Sequence, residues 1–112
     1  FVFLNKNIFE PNLQTKLLIT SASKIININD KVLDLGCGSG IIGCYFYKKK
    51  IIRSIYASDL YKAAINCTIY NAKKLTNNNE IRLSDSLDEW KDEKFDLIIN
   101  DVSGIYYKIN DI

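Results

Sequence analysis

Short apolar runs alternate along the chain with stretches whose apolar residues recur at helical spacing. The first run, KVLDLG from residue 31, is too short and too apolar for a strand with one solvated face, so we expect a strand buried on both faces of a parallel sheet. Three further strands are predicted, and they read SIYAS from residue 54, IRLS from 81 and FDLIIN from 95.

Helices are predicted before and between these strands, over 12–26, about 41–49 and 61–75. The sequence NNNE at 77–80 is expected to form a turn, and the polar segment 86–94 to hold a helical turn. The apolar face predicted for the first helix consists of Leu13, Leu17, Leu18, Ala22, Ile25 and Ile26.

The order of these elements indicates the fold class. Strands that alternate with helices of this length are typical of parallel crossover units, so we expect an α/β fold with a Rossmann-like, doubly wound, mostly parallel sheet. Residues 1–112 are expected to form a single domain, with the helix over 12–26 packed on its core. Four strands leave an apolar edge and face uncovered, and the chain begins with Phe, so we expect a partial domain that contains the first four strands of a larger core.

Composition excludes several classes of protein. No apolar run approaches the roughly 20 residues that cross a bilayer, and the first residues lack the features of a signal peptide, so we expect a cytoplasmic protein without a membrane anchor. Because there is no histidine, nucleophile arrangements that depend on an imidazole base are excluded. Cys37, Cys44 and Cys67 lack the spacing of a zinc site or a disulfide framework and are expected to be reduced core residues.

The charge balance does not indicate a nucleic-acid surface. Fifteen basic and thirteen acidic residues give a formal net charge of +2. The lysine runs at 48–50 and 73–74 fall where helix C-termini are predicted, and such positions favour cations. We therefore predict no strong electrostatic attraction to nucleic acid.

Four glycines at positions 36, 38, 40 and 43 separate the first strand from its helix. Glycine there lets the backbone turn sharply and approach a ligand closely, and the N-terminus of the helix behind it offers free N–H groups. The spacing read from Gly38 is GxGxxG, which is typical of dinucleotide-binding proteins. The spacing read from Gly36 is DxGxGxG, so the glycines by themselves do not name the ligand.

Asp34 separates these two alternatives. Its carboxylate lies in the strand two residues before the first glycine. There it would repel the pyrophosphate of a dinucleotide, but it would attract a ligand that carries an ammonium and a sulfonium group. This favours S-adenosylmethionine, while an ordinary hydrogen-bonded turn aspartate stays the structural alternative for Asp34.

Several segments resemble class I S-adenosylmethionine-dependent methyltransferases. VLDLGCGSGIIG resembles their first motif, YASDLYKAAINCTIYNAKK the segment that follows it, EIRLSDSLDEW their third-strand motif, and FDLIINDVSGI occupies the place of their fourth-strand motif. FEPNLQTKLLI is similar to the Pro-x-x-x-Thr helix start of the release-factor glutamine methyltransferases and related small-domain methyltransferases. The resemblance covers nearly the whole chain and implies S-adenosylmethionine as the cofactor.

The resemblance also implies roles at the first strand and its loop. Gly36, Cys37, Gly38 and Gly40 would receive the methionine part of the cofactor, and Asp34 would orient its amino group.

Roles at the next two strands follow in the same way. Asp59, with Leu60 beside it, would accept hydrogen bonds from the ribose hydroxyls, and Asp85, with Ser86 and Leu87 alongside, would accept one from the adenine amino group. The structural alternatives are a surface turn or the N-cap of the following helix for Asp59, and capping of the loop for Asp85. Trp90 is expected to cover the sheet edge, the alternative being a place beside the adenine.

The fourth-strand motif carries the predicted catalytic residue. Relatives that methylate amide or amine nitrogen have Asn-Pro-Pro-Tyr or Asp-Pro-Pro-Tyr here, and this chain has Asp101 followed by Val102, Ser103 and Gly104. Asp101 would accept a hydrogen bond from the target nitrogen. Both prolines and the aromatic residue are absent, although Tyr106 and Tyr107 follow closely.

Three hypotheses result. The first is a methyltransferase that transfers methyl to a nitrogen of a protein or nucleic acid, the methyl acceptor itself being open among protein, RNA and small molecule. The second is a diverged module that binds S-adenosylmethionine without transferring methyl, suggested by the missing prolines. The third is a nicotinamide-dependent dehydrogenase, suggested by the GxGxxG spacing.

Overall fold

The structure, a computed structural model, describes residues 13–101. Three α-helices, one short 3₁₀ helix and four β-strands make up this part of the chain. In chain order they are α1 (Leu13–Ser23), β1 (Val32–Leu35), α2 (Ile41–Lys48), β2 (Ile55–Asp59), α3 (Lys62–Lys73), β3 (Asn79–Leu83), the 3₁₀ helix (Asp88–Trp90) and β4 (Leu97–Asn100).

The four strands form one parallel sheet in the order β3-β2-β1-β4. In the register of the sheet, Leu33 of β1 lies between Tyr56 of β2 and Ile98 of β4. The chain moves outward from β1 to β3 and then returns to the other side of β1, so the strand order reverses between β1 and β4. The expected α/β, Rossmann-like parallel sheet is confirmed.

One side of the sheet carries the main hydrophobic core. Right-handed crossovers from β1 to β2 and from β2 to β3 place α2 and α3 on the same side, and α1 contacts α2 there. All three α-helices contribute to one cluster with β1, β2 and β4. Its buried members are Ala22, Val32, Ile42, Cys44, Phe46, Ile52, Ile55, Ala72 and Ile99.

The opposite side of the sheet carries an aromatic cluster formed by Tyr56, Trp90 and Phe95. Their rings meet edge to face with centroids 5.4 to 6.4 Å apart. The ammonium of Lys31 lies 4.8 Å from the Tyr56 ring centre, and the guanidinium of Arg82 lies 4.1 Å from that of Trp90. Trp90 is therefore buried against the face of β2 and β3, whereas the sequence predicted a position over the sheet edge.

The predicted turn at 77–80 is displaced towards its N-terminal end. The side chain of Thr76 accepts a hydrogen bond from the amide of Asn78, and the side chain of Asn79 donates one to the carbonyl of Thr76. Asn79 and Glu80 already pair with β2. The turn is tightened by a threonine that precedes the NNNE sequence, so β3 begins two residues before the prediction.

The buried face of α1 also differs from the prediction. Leu13 and Leu17 are 69% and 59% exposed, and Ile25 is exposed beyond the end of the helix. Thr15 and Ala22 are the buried residues of α1, and the helix ends at Ser23 rather than at residue 26. Leu18, Ala22 and Ile26 of the predicted face do pack on the core, so apolar spacing selected a stripe that is rotated from the buried one but overlaps with it.

Several smaller expectations are confirmed. The segment 86–94 holds the short 3₁₀ helix, and Lys48 and Lys73 lie in the last turns of α2 and α3. All three cysteines are buried, and none of them forms a disulfide bond within residues 13–101. Within residues 13–101, none of the helices has the length and apolar character needed to span a bilayer.

Candidate functional site

The predicted site residues lie at the carboxyl ends of the parallel strands. Asp34 is near the end of β1, Asp59 ends β2, Asp85 follows β3, and Asp101 follows β4. In open parallel sheets ligands bind outside these ends, at the point where the strand order reverses. That point lies here between β1 and β4, so Asp34 and Asp101 flank the crevice.

The loop between β1 and α2 depends on glycine at three positions. Gly36, Gly38 and Gly40 have φ values of 75°, 57° and 81°, which residues with a Cβ atom rarely adopt. The amides of Gly36 and Cys37 both donate to the carbonyl of Ser58, at 2.8 and 2.9 Å. These bonds fasten the start of the loop to the end of β2.

Two buried polar residues of α3 hold the loop from the other side. The hydroxyl of Thr68 donates to the carbonyl of Gly38 at 3.0 Å, and the amide of Asn71 donates to the carbonyl of Ser39 at 2.8 Å. A Cβ atom on Gly40 would lie only 2.8 Å from the Thr68 side chain. Sequence reasoning missed Thr68 and Asn71. The signal that could have found them is a polar residue on the buried side of α3, a helix that comes after the glycine loop in the chain.

Asp59 connects the glycine loop to α3. One carboxylate oxygen accepts from the amide of Gly38 at 2.9 Å, and the other accepts from the amide of Tyr61 at 3.0 Å. An ionised carboxylate has about four acceptor positions, so these two bonds leave capacity for further donors. The structure thus gives Asp59 the turn-capping role named as the alternative, while its predicted ribose contact stays a prediction.

Asp34 is the most unusual group of the site. Its side chain points into the protein and is 3% exposed, and none of the described residues hydrogen-bonds to either carboxylate oxygen. Burial, and then the negative charge of Asp101, raise its pKa to about 7. The nearby amide of Gly43 has the opposite, smaller effect without reaching hydrogen-bond geometry. A buried carboxylate in this state would be stabilised by a cationic ligand.

Asp101 lies across the crevice from the glycine loop, on the far side of β1. Its carboxylate accepts a hydrogen bond of 2.5 Å from the hydroxyl of Thr15 on α1. The side-chain oxygen of the adjacent Asn100 lies 3.4 Å from the position of a Cβ atom on Gly36, which is an ordinary van der Waals distance, so the end of β4 lies next to the start of the loop. Sequence reasoning missed both Thr15 as a partner of Asp101 and Asn100 as a neighbour of the loop.

The remaining predicted residues occupy two different settings. Leu60 and Asp85 are exposed at the same edge of the sheet, and Ser86 adopts a left-handed conformation with φ of 55°. Cys37 turns its thiol away from the crevice, into a buried contact with Thr68 at 3.1 Å. Burial raises the pKa of that thiol, so it is protonated and part of the core. The other residues named in the fourth-strand motif lie outside the described part of the chain. They are Val102, Ser103, Gly104, Tyr106 and Tyr107.

A family model described as the methyltransferase small domain matches residues 8–101. The chain belongs to the methyltransferase small-domain family. The resemblance found in the sequence motifs is confirmed, and the dehydrogenase hypothesis and the non-transferring hypothesis are not favoured.

Curated relatives of this small domain act on different methyl acceptors. This chain is 40% identical, over 79% of its length, to the ribosomal protein L11 methyltransferase of Thermosipho melanesiensis. It is 37% identical, over 85% of its length, to the ribosomal RNA small subunit methyltransferase C of Buchnera aphidicola. It is 39% identical over 64% to the release factor glutamine methyltransferase of Borreliella burgdorferi. The chain spans 33%, 26% and 26% of these relatives, respectively.

The fold also occurs in solved structures. TrmK of M. capricolum, in complex with S-adenosyl-homocysteine, superposes with a TM-score of 0.65 at 22% sequence identity. The match covers 73% of this chain and 38% of that one. At this level of identity the similarity shows a common fold.

A substitution at Gly40 tests the packing of the glycine loop. We expect Gly40→Ala to lower the free energy of unfolding by about 1–2 kcal/mol for the left-handed backbone, and further because its Cβ would contact Thr68. Gly36→Ala is the matched control, since Gly36 has a similar φ but a Cβ there lies 3.4 Å from its nearest neighbour. Urea denaturation measures both, and equal losses would contradict the proposed contact with Thr68.

The buried carboxylate of Asp34 predicts a pH dependence of folding. Its pKa is about 7 in the folded protein and near 3.8 when exposed, so the folded state holds a proton that the unfolded state has released between these values. Stability is therefore expected to fall as pH rises from about 4 to 7, by up to about 4 kcal/mol. Above pH 7 both states are ionised and this contribution becomes constant.

The variant Asp34→Asn, which cannot ionise, should lack this dependence in urea denaturation without ligand. Asp30→Asn, in the turn before β1, is the control and should keep it. An identical pH profile for wild type and Asp34→Asn would show that Asp34 does not titrate in this range.

Proposed function

We propose that this chain is the cofactor-binding half of an S-adenosylmethionine-dependent methyltransferase that methylates a nitrogen atom. The observation that carries the proposal is the buried Asp34 carboxylate, which lacks a hydrogen-bond partner among residues 13–101 and lies within electrostatic reach of Asp101. The family match and the TrmK complex with S-adenosyl-homocysteine support the same cofactor. The cofactor supplies a methyl group activated on a sulfonium centre.

The residues at the crevice fit a cation better than a phosphate. Asp34, Asp59 and Asp101 surround the glycine loop, and Asp101 and Asp59 both raise the pKa of Asp34 through their negative charge. A pyrophosphate would add further negative charge to this set, whereas an ammonium beside Asp34 would compensate the buried carboxylate and hold it ionised. We assign Asp34 to the amino group of the cofactor.

The neighbouring strands extend this assignment along the sheet edge. Gly36, Gly38 and Gly40 keep the backbone open to the methionine part, with Cys37 shaping the loop from the core. The acceptor positions of Asp59 that remain after its two backbone bonds take the ribose hydroxyls.

The adenine is assigned to the ends of β2 and β3. The exposed Leu60 offers an apolar surface, and Asp85 with Ser86 follows β3. β3 is two strand spacings, about 10 Å, from β1, so a ligand laid across three strand ends reaches it.

Asp101 is assigned to the methyl acceptor. Transfer from a sulfonium is an in-line displacement in which the protein chiefly orients the nucleophile and stabilises the charge that develops on it. A carboxylate that accepts a hydrogen bond from the acceptor N–H performs both tasks, and this requires no histidine. The relatives include enzymes named for a ribosomal protein, a release factor and ribosomal RNA, so a nitrogen of a protein or of RNA is the proposed target.

We also propose that the protein works in the cytoplasm. All three cysteines are buried thiols without a disulfide bond among residues 13–101, which is typical of proteins kept in a reducing compartment.

Cofactor binding is tested by calorimetric titration of the full-length protein with S-adenosylmethionine, with NAD as the control ligand. We expect saturable binding of the first only, and at least tenfold weaker binding in Asp59→Asn, because an amide keeps only one of the two acceptor oxygens. Asp30→Asn makes the same change in a turn away from the crevice and should bind like the wild type. Undiminished affinity in Asp59→Asn would remove the ribose assignment, and binding of NAD alone would overturn the proposed cofactor.

Catalysis by Asp101 is tested separately from binding. We expect Asp101→Ala to lower the rate of transfer of labelled methyl from S-adenosylmethionine to cell extract by about 10²- to 10⁴-fold, while the affinity for the cofactor changes less than threefold. A rate equal to that of the wild type would exclude Asp101 from the reaction. No transfer by the wild type under conditions where the cofactor binds would favour a binding module over an enzyme.

A further inference from the structure

Helix α1 contacts the residue after β4 through a side-chain hydrogen bond. Thr15 of α1 donates from its hydroxyl to a carboxylate oxygen of Asp101 at 2.5 Å, across 86 positions of sequence. The distance is at the short end of the range for a hydroxyl bonded to an ionised carboxylate. Thr15 therefore lies beside the group that the proposed function assigns to the methyl acceptor.

The placement of Thr15 within α1 does not follow from packing alone. Thr15 is 5% exposed, while Leu13 and Leu17 on the same helix face solvent. A helix that only covered a sheet would gain more by burying a leucine than a threonine. The cost of burying the hydroxyl is offset at this position because Asp101 accepts its hydrogen bond. The rotation of α1 about its axis therefore suits that contact.

The start of α1 provides a second favourable interaction for the carboxylate. Thr15 lies in the first turn of the helix, where backbone N–H groups give a partial positive charge, and no acidic residue of α1 itself occupies that turn. Asp101 supplies a negative charge there from another part of the chain. The Thr15 hydroxyl therefore holds the carboxylate beside the first turn of α1.

The sequence after Asp101 increases the need for such a contact. Residues 102–104 contain no proline, so the backbone there has no ring to restrict its conformation. A hydrogen bond from a buried side chain is then another means of orienting the carboxylate at the strand end. Thr15 provides that bond from a helix whose core contacts include Ala22.

We propose that Thr15 is a positioning residue for Asp101: its hydroxyl fixes the orientation of the carboxylate that receives the N–H of the methyl acceptor. This inference rests on the proposed function of Asp101. It makes α1 part of the catalytic arrangement, although α1 precedes the first strand of the sheet. It also predicts that removing the hydroxyl weakens catalysis without weakening cofactor binding.

The experiment compares Thr15→Val, which keeps the shape and loses the hydroxyl, with Thr15→Ser, which keeps the hydroxyl, in the full-length protein. We expect Thr15→Val to lower kcat at least tenfold with the affinity for S-adenosylmethionine within threefold, and Thr15→Ser to recover most of the rate. Thr20→Val is the matched control, because Thr20 lies on the exposed side of the same helix and bonds only to the carbonyl of Lys16 in the contacts described. Equal rates for the valine and serine variants at position 15 would overturn the proposal.

Two further measurements separate this inference from the proposed function and from simple misfolding. In an Asp101→Asn background, Thr15→Val should cause little additional loss, whereas fully additive effects would show that the two residues act independently. Titration of the Asp101 carboxyl group by NMR needs no substrate, and Thr15→Val should shift that titration to higher pH. An unchanged titration overturns the role of Thr15 even if no methyl acceptor is found, and absent cofactor binding by the wild type overturns the proposed function instead.

Discussion

The carboxyl ends of β1, β2 and β4 meet at one edge of the sheet, and this brings three aspartates around one glycine loop. Burial, and after it the negative charge of Asp101, raises the pKa of Asp34 to about 7. The other two carboxylates have donors: backbone amides for Asp59 and the Thr15 hydroxyl for Asp101. Ionising the buried Asp34 carboxyl group, which has no such donor among residues 13–101, is costly, and this is the physical reason to expect a cationic ligand in the crevice.

The glycine loop keeps its shape through contacts from two elements. β2 binds it through the Ser58 carbonyl and the Asp59 carboxylate, and α3 through Thr68 and Asn71. The cost of burying the polar atoms of Thr68 and Asn71 is offset because each side chain donates a hydrogen bond to a loop carbonyl. The loop is therefore preorganised by Thr68 and Asn71, which have no role in the proposed ligand contacts, and by Asp59, which does, and this agrees with a site whose main task is to orient its ligands.

The sequence predicted the elements with good accuracy because each depends on local features. Apolar runs defined the four strands, glycines with a helix behind them defined the loop, and the positions of Asp34, Asp59, Asp85 and Asp101 followed from their places at strand ends. Errors arose where a contact from elsewhere decided the outcome. Trp90 is buried by Tyr56, Phe95 and Arg82 on one face of the sheet, and no local pattern distinguishes that place from the edge.

The sequence by itself determined the parallel α/β order, the glycine-dependent turn and the family of methyltransferases to which the chain belongs, since periodicity and motif spacing are properties of neighbouring residues. Only the tertiary structure decided that α1 buries Thr15 rather than Leu13 or Leu17, that Thr68 and Asn71 support the loop, and that Asp34 holds its proton near neutral pH. These features depend on contacts between residues distant in the chain and on burial. A spacing pattern shows which residues recur on one side of an element, but it does not encode the partners that decide which side is buried.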